Sequence, residues 1–342
     1  MEPDRPVRGA GAVVGGGPVR ISLQRLMAEA EATGFHANVL EKAAQLLGLL
    51  DSIQSHPFLR GKFALKGGTA LNLFVFDVPR LSVDIDLNYV GAVSRDAMLD
   101  ERPRLEEALQ AVFSREDFGV RRTPSDEHAG GKWSLRYPAA SGQSGRIDVD
   151  INYMFRVPLW PIATMDSRPL GSWQATAVPV MDIHELAAGK LVALLDRHKA
   201  RDLFDSSLVL SMTALDHEML RTAFVVYGAM ERRDWRTVSA EDVSFDSAEL
   251  SGQLIPALRT GGALSLDAAA YGDKLVEQCR GGLGALLPFR DAERAFLDLL
   301  LDEGRIDSRL LTRDTALQDR IHAHPLLEWK AQNVRHHKGL PR

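Results

Sequence analysis

The stretch Lys66–Asn88, KGGTALNLFVFDVPRLSVDIDLN, decides the fold class of this 342-residue chain. A short apolar segment, Phe63–Leu65, is predicted to be a strand that runs directly into a pair of glycines. Ala70–Phe76 then has the pattern of a helix, which Thr69 is able to cap. Glycines let the backbone approach a phosphate closely, and a helix N-terminus offers free N–H groups and the positive end of its dipole. The first half of the stretch therefore predicts a phosphate-binding turn.

The second half of the stretch carries a pair of aspartates. Leu81–Tyr89 alternates apolar and polar residues, as a strand does. Asp84 and Asp86 are two residues apart, so both carboxylates point to one face of that strand. Mg²⁺ is usually held by one or two carboxylates together with substrate phosphates. The glycine pair and the aspartate pair together therefore predict a site for a triphosphate and its metal ion.

A second acidic strand follows at Arg146–Tyr153, RIDVDINY, in which Asp148 and Asp150 again share a face. If this strand lies beside the first, one of the two aspartates completes a cluster of three carboxylates. Two metal ions held by such a cluster clamp the attacking and leaving oxygens of an in-line displacement. The pattern leaves the choice of general base open between Asp148 and Asp150.

A basic helix is predicted over residues 182–210 and begins with a capping box formed by Asp182 and Glu185. Lys190, Arg197 and Arg201 follow at i, i+7 and i+11, within one narrow stripe of a helix. Such a row of cations is neutralised either by acids of the same helix or by a bound anion. Beside the glycine and aspartate motifs, a nucleotide triphosphate is the favoured anion.

The overall composition restricts the class of protein. The chain has 45% hydrophobic and 25% charged residues, a net charge of −5 and one cysteine, Cys279. These values exclude collagen-like, disulfide-rich and wholly disordered proteins. No apolar run approaches the roughly 20 residues that cross a bilayer, and the N-terminal segment lacks the apolar core of a signal peptide. We therefore expect no membrane partner and a cytoplasmic location.

The pattern changes along the chain and predicts three parts. Residues 1–19 contain five glycines and three prolines and are predicted to form a flexible tail. Residues 20–180 mix helices with strands, whereas residues 181–342 are mostly helical. The sequence thus predicts a mixed α/β domain followed by a helical domain, with Lys190 reaching into a cleft between them. Further strands are predicted at Lys132–Tyr137, Arg146–Met154 and Ala175–Val180.

Two motifs in this order resemble one known family. They are GGTALNL followed by Arg80-x-Ser82-x-Asp84-x-Asp86, and the helix ELAAGKLVALLDRHKARDLFD at Glu185–Asp205. The chain resembles the AbiEii toxins of type IV toxin–antitoxin and abortive-infection systems over about residues 60–210. These toxins are a branch of the DNA polymerase β-like nucleotidyltransferase superfamily. The resemblance implies a polymerase β-like mixed-sheet domain followed by a helical C-terminal domain.

The resemblance also implies roles for individual residues. The two aspartates of the first strand would hold metal, the glycine backbone and Ser82 would bind the triphosphate, and Lys190 would contact its phosphates. Asp202 or Asp205 would anchor an arginine or the incoming base. The nucleotide-binding residues so predicted are Lys66, Gly67, Gly68, Thr69, Ser82, Lys190, Arg197, Arg201, Asp202 and Asp205. The catalytic set is Asp84, Asp86, Asp148, Asp150 and Lys190, and the metal ligands are Asp84, Asp86 and Asp150.

The implied activity is transfer of a nucleoside monophosphate from an NTP to an acceptor hydroxyl, with one or two Mg²⁺ ions. Some members of the family modify the 3′ end of tRNA, which blocks aminoacylation and growth, and their usual partner is an antitoxin with a DNA-binding domain. A protein or small-molecule hydroxyl and a non-catalytic nucleotide-binding module remain as alternatives, and the intact Asp84 and Asp86 favour catalysis. A tRNA acceptor requires a basic surface, for which two groups are candidates: His56, Arg60, Lys62 and Lys66, or Arg121, Arg122, Lys132 and Arg136.

Overall fold

A computed structural model describes residues 18–123, 129–259 and 267–340 of the chain. Seven strands in this part form one mixed sheet in the order β3-β4-β5-β2-β1-β7-β6. The strands are β1 (Phe63–Lys66), β2 (Ile85–Tyr89), β3 (Gly119–Arg122), β4 (Gly130–Pro138), β5 (Ser144–Asn152), β6 (Ala163–Met165) and β7 (Val178–Val180). The predicted mixed sheet is thereby confirmed.

Twelve α-helices accompany the sheet in the described part of the chain. They are α1 (Leu23–Thr33), α2 (Ala37–Ser55), α3 (Gly67–Ala70), α4 (Arg95–Arg115), α5 (Ile183–Arg197), α6 (Ala200–Leu210), α7 (His217–Ala229), α8 (Ser247–Glu249), α9 (Ala268–Leu283), α10 (Asp291–Glu303), α11 (Thr315–His322) and α12 (Pro325–Lys338). Helix α2 packs on β5 and β7, and α4 packs on α2 and β3. One hydrophobic core runs from these elements into the C-terminal helices.

The centre of the sheet brings the two acidic strands together. Strand β2 is antiparallel to β1 and parallel to β5, and Asp86 is in register with Asp150. Ile85 and Leu87 are buried on the opposite face of β2, because successive side chains of a strand alternate between faces. The predicted neighbourhood of the two acidic strands is therefore confirmed.

The turn after β1 differs from its prediction. Helix α3 begins at Gly67 and continues as a π-helical turn over Leu71–Val75, so the predicted helix Ala70–Phe76 is wrong in its bounds. Thr69 does not cap it: its hydroxyl donates to the carbonyl of Asp84, 2.5 Å away. This bond ties the glycine turn to the start of β2. The strand itself begins only at Ile85, because Leu81 donates instead to the carbonyl of Ala257 at 2.8 Å.

The predicted basic helix is two helices. His198 adopts a left-handed conformation with φ 55° and separates α5 from α6, so Lys190 and Arg201 do not lie on one helical stripe. The capping box is also wrong. Asp182 does accept from His184 N–H, but the carboxylate of Glu185 accepts from the backbone of Leu159 and Trp160.

The two ends of the chain differ in how much of them the structure describes. Most of the predicted flexible tail, residues 1–17, lies outside the described residues, whereas the carbonyl of Val19 accepts from Gln45 at 2.7 Å. At the other end of the chain, α12 spans Pro325–Lys338, and the buried His324 caps it. Across the described residues, no helix combines the length and the apolar character needed to span a bilayer.

Candidate active site

The first carboxylate of the site, Asp86, lies between the glycine turn and the neighbouring acidic strand. Burial raises its pKa, and the cations Lys66 and Lys190 only partly oppose this effect. Asp150 lies in register beside it on β5. Asp84, the residue that precedes β2, is half exposed. A partly buried carboxylate that lies near other carboxylates is stabilised by a bound cation. This donor set therefore fits a divalent metal ion.

The two aspartates of β5 have different surroundings. Asp148 accepts from Arg146 at 2.9 Å and 3.1 Å and pairs with Lys132 at 3.2 Å. Although partial burial opposes ionisation, these two cations lower the pKa of Asp148. Asp150 forms no ion pair with any residue that the structure describes. Its carboxylate is therefore the one that is available to a metal ion or a substrate.

The glycine turn packs directly against the catalytic strand. Gly67 has a φ of 72°, and a Cβ at this position would lie 2.5 Å from Oδ2 of Asp86. A Cβ at Gly68 would lie 2.9 Å from Nη2 of Arg80 and 3.0 Å from Oγ of Ser82. Both positions consequently require glycine, the first for its conformation as well as its size. Ser82 therefore lies directly beside the glycine turn.

Gly67→Ala tests this close approach, and Gly61→Ala is a matched control. Both glycines have a φ of 72°, but no atom lies within 4 Å of a Cβ at Gly61. We expect each alanine to lower the free energy of unfolding by about 1–3 kcal/mol through backbone strain. Only Gly67→Ala should also lower the transfer rate, by about 10²-fold, because it displaces Asp86. Chemical denaturation and transfer assays on both variants check this, and equal activity in the two would contradict it.

A buried ion-pair network lies behind the turn. Arg80 donates to Asp205 at 2.8 Å and 2.6 Å, and Asn72 donates to the same carboxylate at 2.9 Å. Lys190 contacts Asp205 at 3.1 Å and donates to Asp202 at 2.7 Å. Burial opposes the charge of Asp205, yet Arg80 and Lys190 bring its pKa down to about 2. Asp205 is fully buried, so it holds Arg80 and Lys190 in place rather than facing the solvent.

The remaining cations lie at the entrance of the site. Arg197 donates to Asp202 at 3.2 Å, while Arg201 approaches both Asp84 at 4.0 Å and Glu249 at 3.7 Å. The three predicted cations thus converge on one site although they come from two helices. Lys190 stays charged, because Asp205 and Asp202 outweigh its burial and raise its pKa.

Four residues of the site were not assigned from the sequence. They are Lys42 of α2, which lies 4.0 Å from Asp84, the network members Asn72 and Arg80, and Glu249 of α8, which accepts from Ala200 N–H at 3.0 Å. Arg80 was visible in the motif that contains Ser82. Lys42 and Glu249 come from distant helices and have no local sequence signal.

Two adjoining cavities meet at Asp86. One, of about 320 Å³, is lined by Ser82, Asp84, Asp150 and Arg201, and we call it the phosphate cavity after the group that we propose it binds. The other, of about 400 Å³, is lined by Asn88, Phe155, Glu185 and Tyr227, and we call it the base-side cavity for the same reason. Gly68, Asp86, Lys190 and Arg197 border both cavities. The two cavities therefore share a border that carries one carboxylate and two cations.

The base-side cavity contains a carboxylate with an unusual pKa. Burial raises the pKa of Glu185 to about 7 from its ordinary 4.5, although Leu159, Trp160 and Tyr227 donate hydrogen bonds to it. The folded state therefore binds this proton more tightly than the unfolded state does. The resulting stabilisation is complete below about pH 4.5 and is lost as the pH rises through about 7.

Glu185→Gln removes this titration. Between pH 5 and pH 8 we expect the free energy of unfolding of the wild type to fall by up to about 3 kcal/mol more than that of the variant. Urea unfolding of both proteins over this pH range measures the difference. Parallel pH profiles would show that Glu185 is ionised at neutral pH and would contradict the expectation.

Metal binding at the site has to rely on few protein ligands. Within the described residues, no three His, Cys, Asp or Glu side chains converge into a ready-made metal site. Mg²⁺ usually takes one or two carboxylates and completes its shell with water and substrate phosphates. Asp86, together with Asp84 or Asp150, satisfies that requirement.

The comparison with family models defines the class of protein, which is a nucleotidyltransferase. The sequence model of the family "Nucleotidyl transferase AbiEii toxin, Type IV TA system" matches residues 48–279, more than half of the chain. The chain therefore belongs to the AbiEii nucleotidyltransferase toxin family.

One solved structure supports the fold. MenT4, a nucleotidyltransferase toxin from Mycobacterium tuberculosis H37Rv, superposes with a TM-score of 0.54 at 17% sequence identity. The match covers 87% of this chain and 98% of the MenT4 chain. No protein of curated function matches the sequence. The family match at residues 48–279 extends well beyond the two motifs from which the family was first inferred.

Proposed function

We propose that this protein transfers a nucleoside monophosphate from an NTP to the 3′-terminal hydroxyl of tRNA and thereby stops translation and growth. The observation that carries the proposal is the register of Asp86 with Asp150 beside the Gly67–Gly68 turn. A glycine turn able to bind phosphate thus lies beside paired carboxylates at the centre of the sheet. Membership of a family of nucleotidyltransferase toxins supports the same conclusion.

The proposed reaction is an in-line displacement at the α-phosphorus. The backbone of Gly68 and the hydroxyl of Ser82 bind the β- and γ-phosphates, and the charged Lys190 stabilises the negative charge that develops. The acceptor oxygen forms a bond to the α-phosphorus, its proton passes to Asp150, and the bond to the bridging oxygen breaks to release pyrophosphate. Asp86, together with Asp84 or Asp150, would hold Mg²⁺, which when bound supplies further charge stabilisation.

An RNA acceptor is supported by a basic track on the sheet. Lys132, Arg136 and Arg146 lie in the β4–β5 register beside Asp148 and Asp150, on the same face of the sheet. Arg136 and Arg146 are exposed, so the phosphates of a polyanion can reach both, and Arg146 contacts Asp148 as well. The side chain of Arg122, also predicted for this surface, lies outside what the structure describes.

The other predicted basic surface is less suited to RNA. Lys62 donates to Glu101 at 2.6 Å, which neutralises it. Lys66 points into the base-side cavity, where its Nζ lies 5.4 Å from the centre of the Phe155 ring. We therefore place the acceptor on the β4–β5 side of the site.

Transfer of radiolabel from each α-³²P-NTP in the presence of Mg²⁺ tests the proposal. Purified tRNA, total RNA and total protein are offered as acceptors, and Asp86→Asn is the control variant. Label on tRNA that is lost in the variant and after chelation of the metal supports the proposal. Label on protein would show that the acceptor is a protein and not tRNA. Binding of an NTP without transfer to any acceptor would contradict enzymatic function.

The toxin class implies an antitoxin partner. We propose that this partner is encoded alongside, carries a DNA-binding domain and acts with the toxin in the cytoplasm, where NTPs and tRNA are present. Expression of the wild type alone should arrest growth, whereas Asp86→Asn should not. Restoration of growth by the neighbouring gene would identify the partner.

A further inference from the structure

Asn88 places an unsatisfied polar group in the base-side cavity. It lies two residues after Asp86 on β2, on the same face, and is 1% exposed. Its Oδ1 has no hydrogen-bond partner among the described residues, and its side chain lines the cavity. A buried acceptor left without a partner is costly, so the position favours a ligand that supplies a donor.

The aromatic side chains of the same cavity offer surfaces for a flat ligand. Phe155 and Tyr227 both line it, and their ring centroids are 5.3 Å apart. Bases stack on aromatic rings, and stacking tolerates any base, whereas an amide reads the hydrogen-bonding edge of one base. In this cavity the aromatic rings can therefore bind any base, whereas the amide of Asn88 can distinguish one base from another.

The position of the base-side cavity favours occupation by the nucleotide rather than by the acceptor. Asp150, the carboxylate proposed to receive the acceptor's proton, borders the phosphate cavity and is not among the residues of the base-side cavity. Ser82 likewise lines only the phosphate cavity, whereas Asp86 and Gly68 line both. An α-phosphate beside Asp86, with its β- and γ-phosphates at Ser82, directs the ribose and base toward Asn88.

The charges of the base-side cavity agree with this assignment. Glu185, Asp196 and Glu231 line it, and burial raises the pKa of both Glu185 and Glu231. Lys66, Lys190 and Arg197 line the same cavity, so its acidic and basic side chains nearly balance. A lining with little net charge suits an uncharged nucleobase better than a chain of phosphates.

We propose that the base-side cavity binds the nucleobase of the incoming NTP and that Asn88 determines which base is accepted. The inference rests on the proposed nucleotidyltransferase function and adds a specificity residue to it. Asn88 acts by hydrogen bonding to the edge of the base, while the ring pair of Phe155 and Tyr227 offers an apolar surface on which the base can stack.

Asn88→Leu tests the proposal, because leucine is of similar size and has no polar group. We expect kcat/KM for the preferred NTP to fall relative to the other three by about 5- to 150-fold. The melting temperature should not fall, since Oδ1 has no protein partner to lose. The same substitution at the exposed Asn38 of α2 is the control and should change neither quantity.

The outcomes separate this inference from the function on which it rests. Preserved ratios of kcat/KM in Asn88→Leu, or an equal loss for all four NTPs, would overturn the inference while transfer itself stands. Equilibrium dialysis of each α-³²P-NTP against the Asp150→Asn variant, with and without Asn88→Leu, supplies a readout that needs no acceptor. Base-selective binding that disappears with Asn88→Leu supports the inference even if no acceptor is ever labelled.

Discussion

Asp150→Asn is expected to lower the rate of nucleotide transfer by about 10³-fold or more, whereas Asp148→Asn should retain activity to within about tenfold. Asp150 is in register with Asp86 and has no cationic partner in the described part of the chain. Asp148 is already paired with Arg146 and Lys132. We therefore propose that Asp150 is the third carboxylate, a choice that the sequence leaves ambiguous.

Single-turnover transfer from a labelled NTP measures this difference, with Asp86→Asn as the reference for complete loss. Thermal unfolding of each variant separates a catalytic effect from a folding defect. The assignment fails if Asp148→Asn is the more damaging of the two. Equal losses would instead indicate that both carboxylates take part, with Asp148 acting after release of its cations.

Asp205→Asn should lower the free energy of unfolding by about 3–5 kcal/mol, because it leaves Arg80 and Lys190 buried without their shared counter-charge. Asp205 is fully buried and Arg80 is 2% exposed, so water cannot replace the lost interaction. Glu303→Gln is a matched control at an exposed ion pair with Arg305 and should cost less than about 1 kcal/mol. Urea denaturation compares the two variants.

The double variant Arg80→Met, Asp205→Leu distinguishes structural from functional roles of the network. Replacing a buried ion pair by apolar residues of similar volume often restores stability. We expect stability to recover in large part while transfer remains impaired, because Arg80 packs 2.9 Å from the position of a Cβ on Gly68. Recovery of both stability and transfer would show that the network serves the fold alone. A loss below about 1 kcal/mol in Asp205→Asn would contradict its structural role.

The predictable parts of the site are those that depend on a pattern of a few neighbouring residues. The alternation of Ile85, Asp86 and Leu87 indicates which side chains share a face, because the side-chain period of a strand is two. The same period in β5 placed Asp148 and Asp150 on one face, and pairing of the strands then aligned Asp150 with Asp86. The glycine pair was predictable because the backbone there must come close to other groups.

The errors arose where a local pattern was extended across a break. The helix over residues 182–210 ends at His198, a non-glycine residue in the left-handed conformation, so neither Gly nor Pro marked the break. Asp182 and Glu185 have the spacing of a capping box, yet tertiary contacts with Leu159 and Trp160 occupy the glutamate. The spacing of nearby residues was therefore not sufficient to predict either the end of the helix or the role of Glu185.

The sequence by itself determined the family, the glycine turn, the aspartate pair and the presence of a second acidic strand, because each is a property of neighbouring residues. Only the tertiary structure decided that Asp205 pairs with Arg80 across 125 positions, that Asp150 rather than Asp148 is unpaired, and that Asn88 faces a cavity. Such contacts depend on how the elements pack, and packing joins residues whose separation along the chain carries no periodic signal.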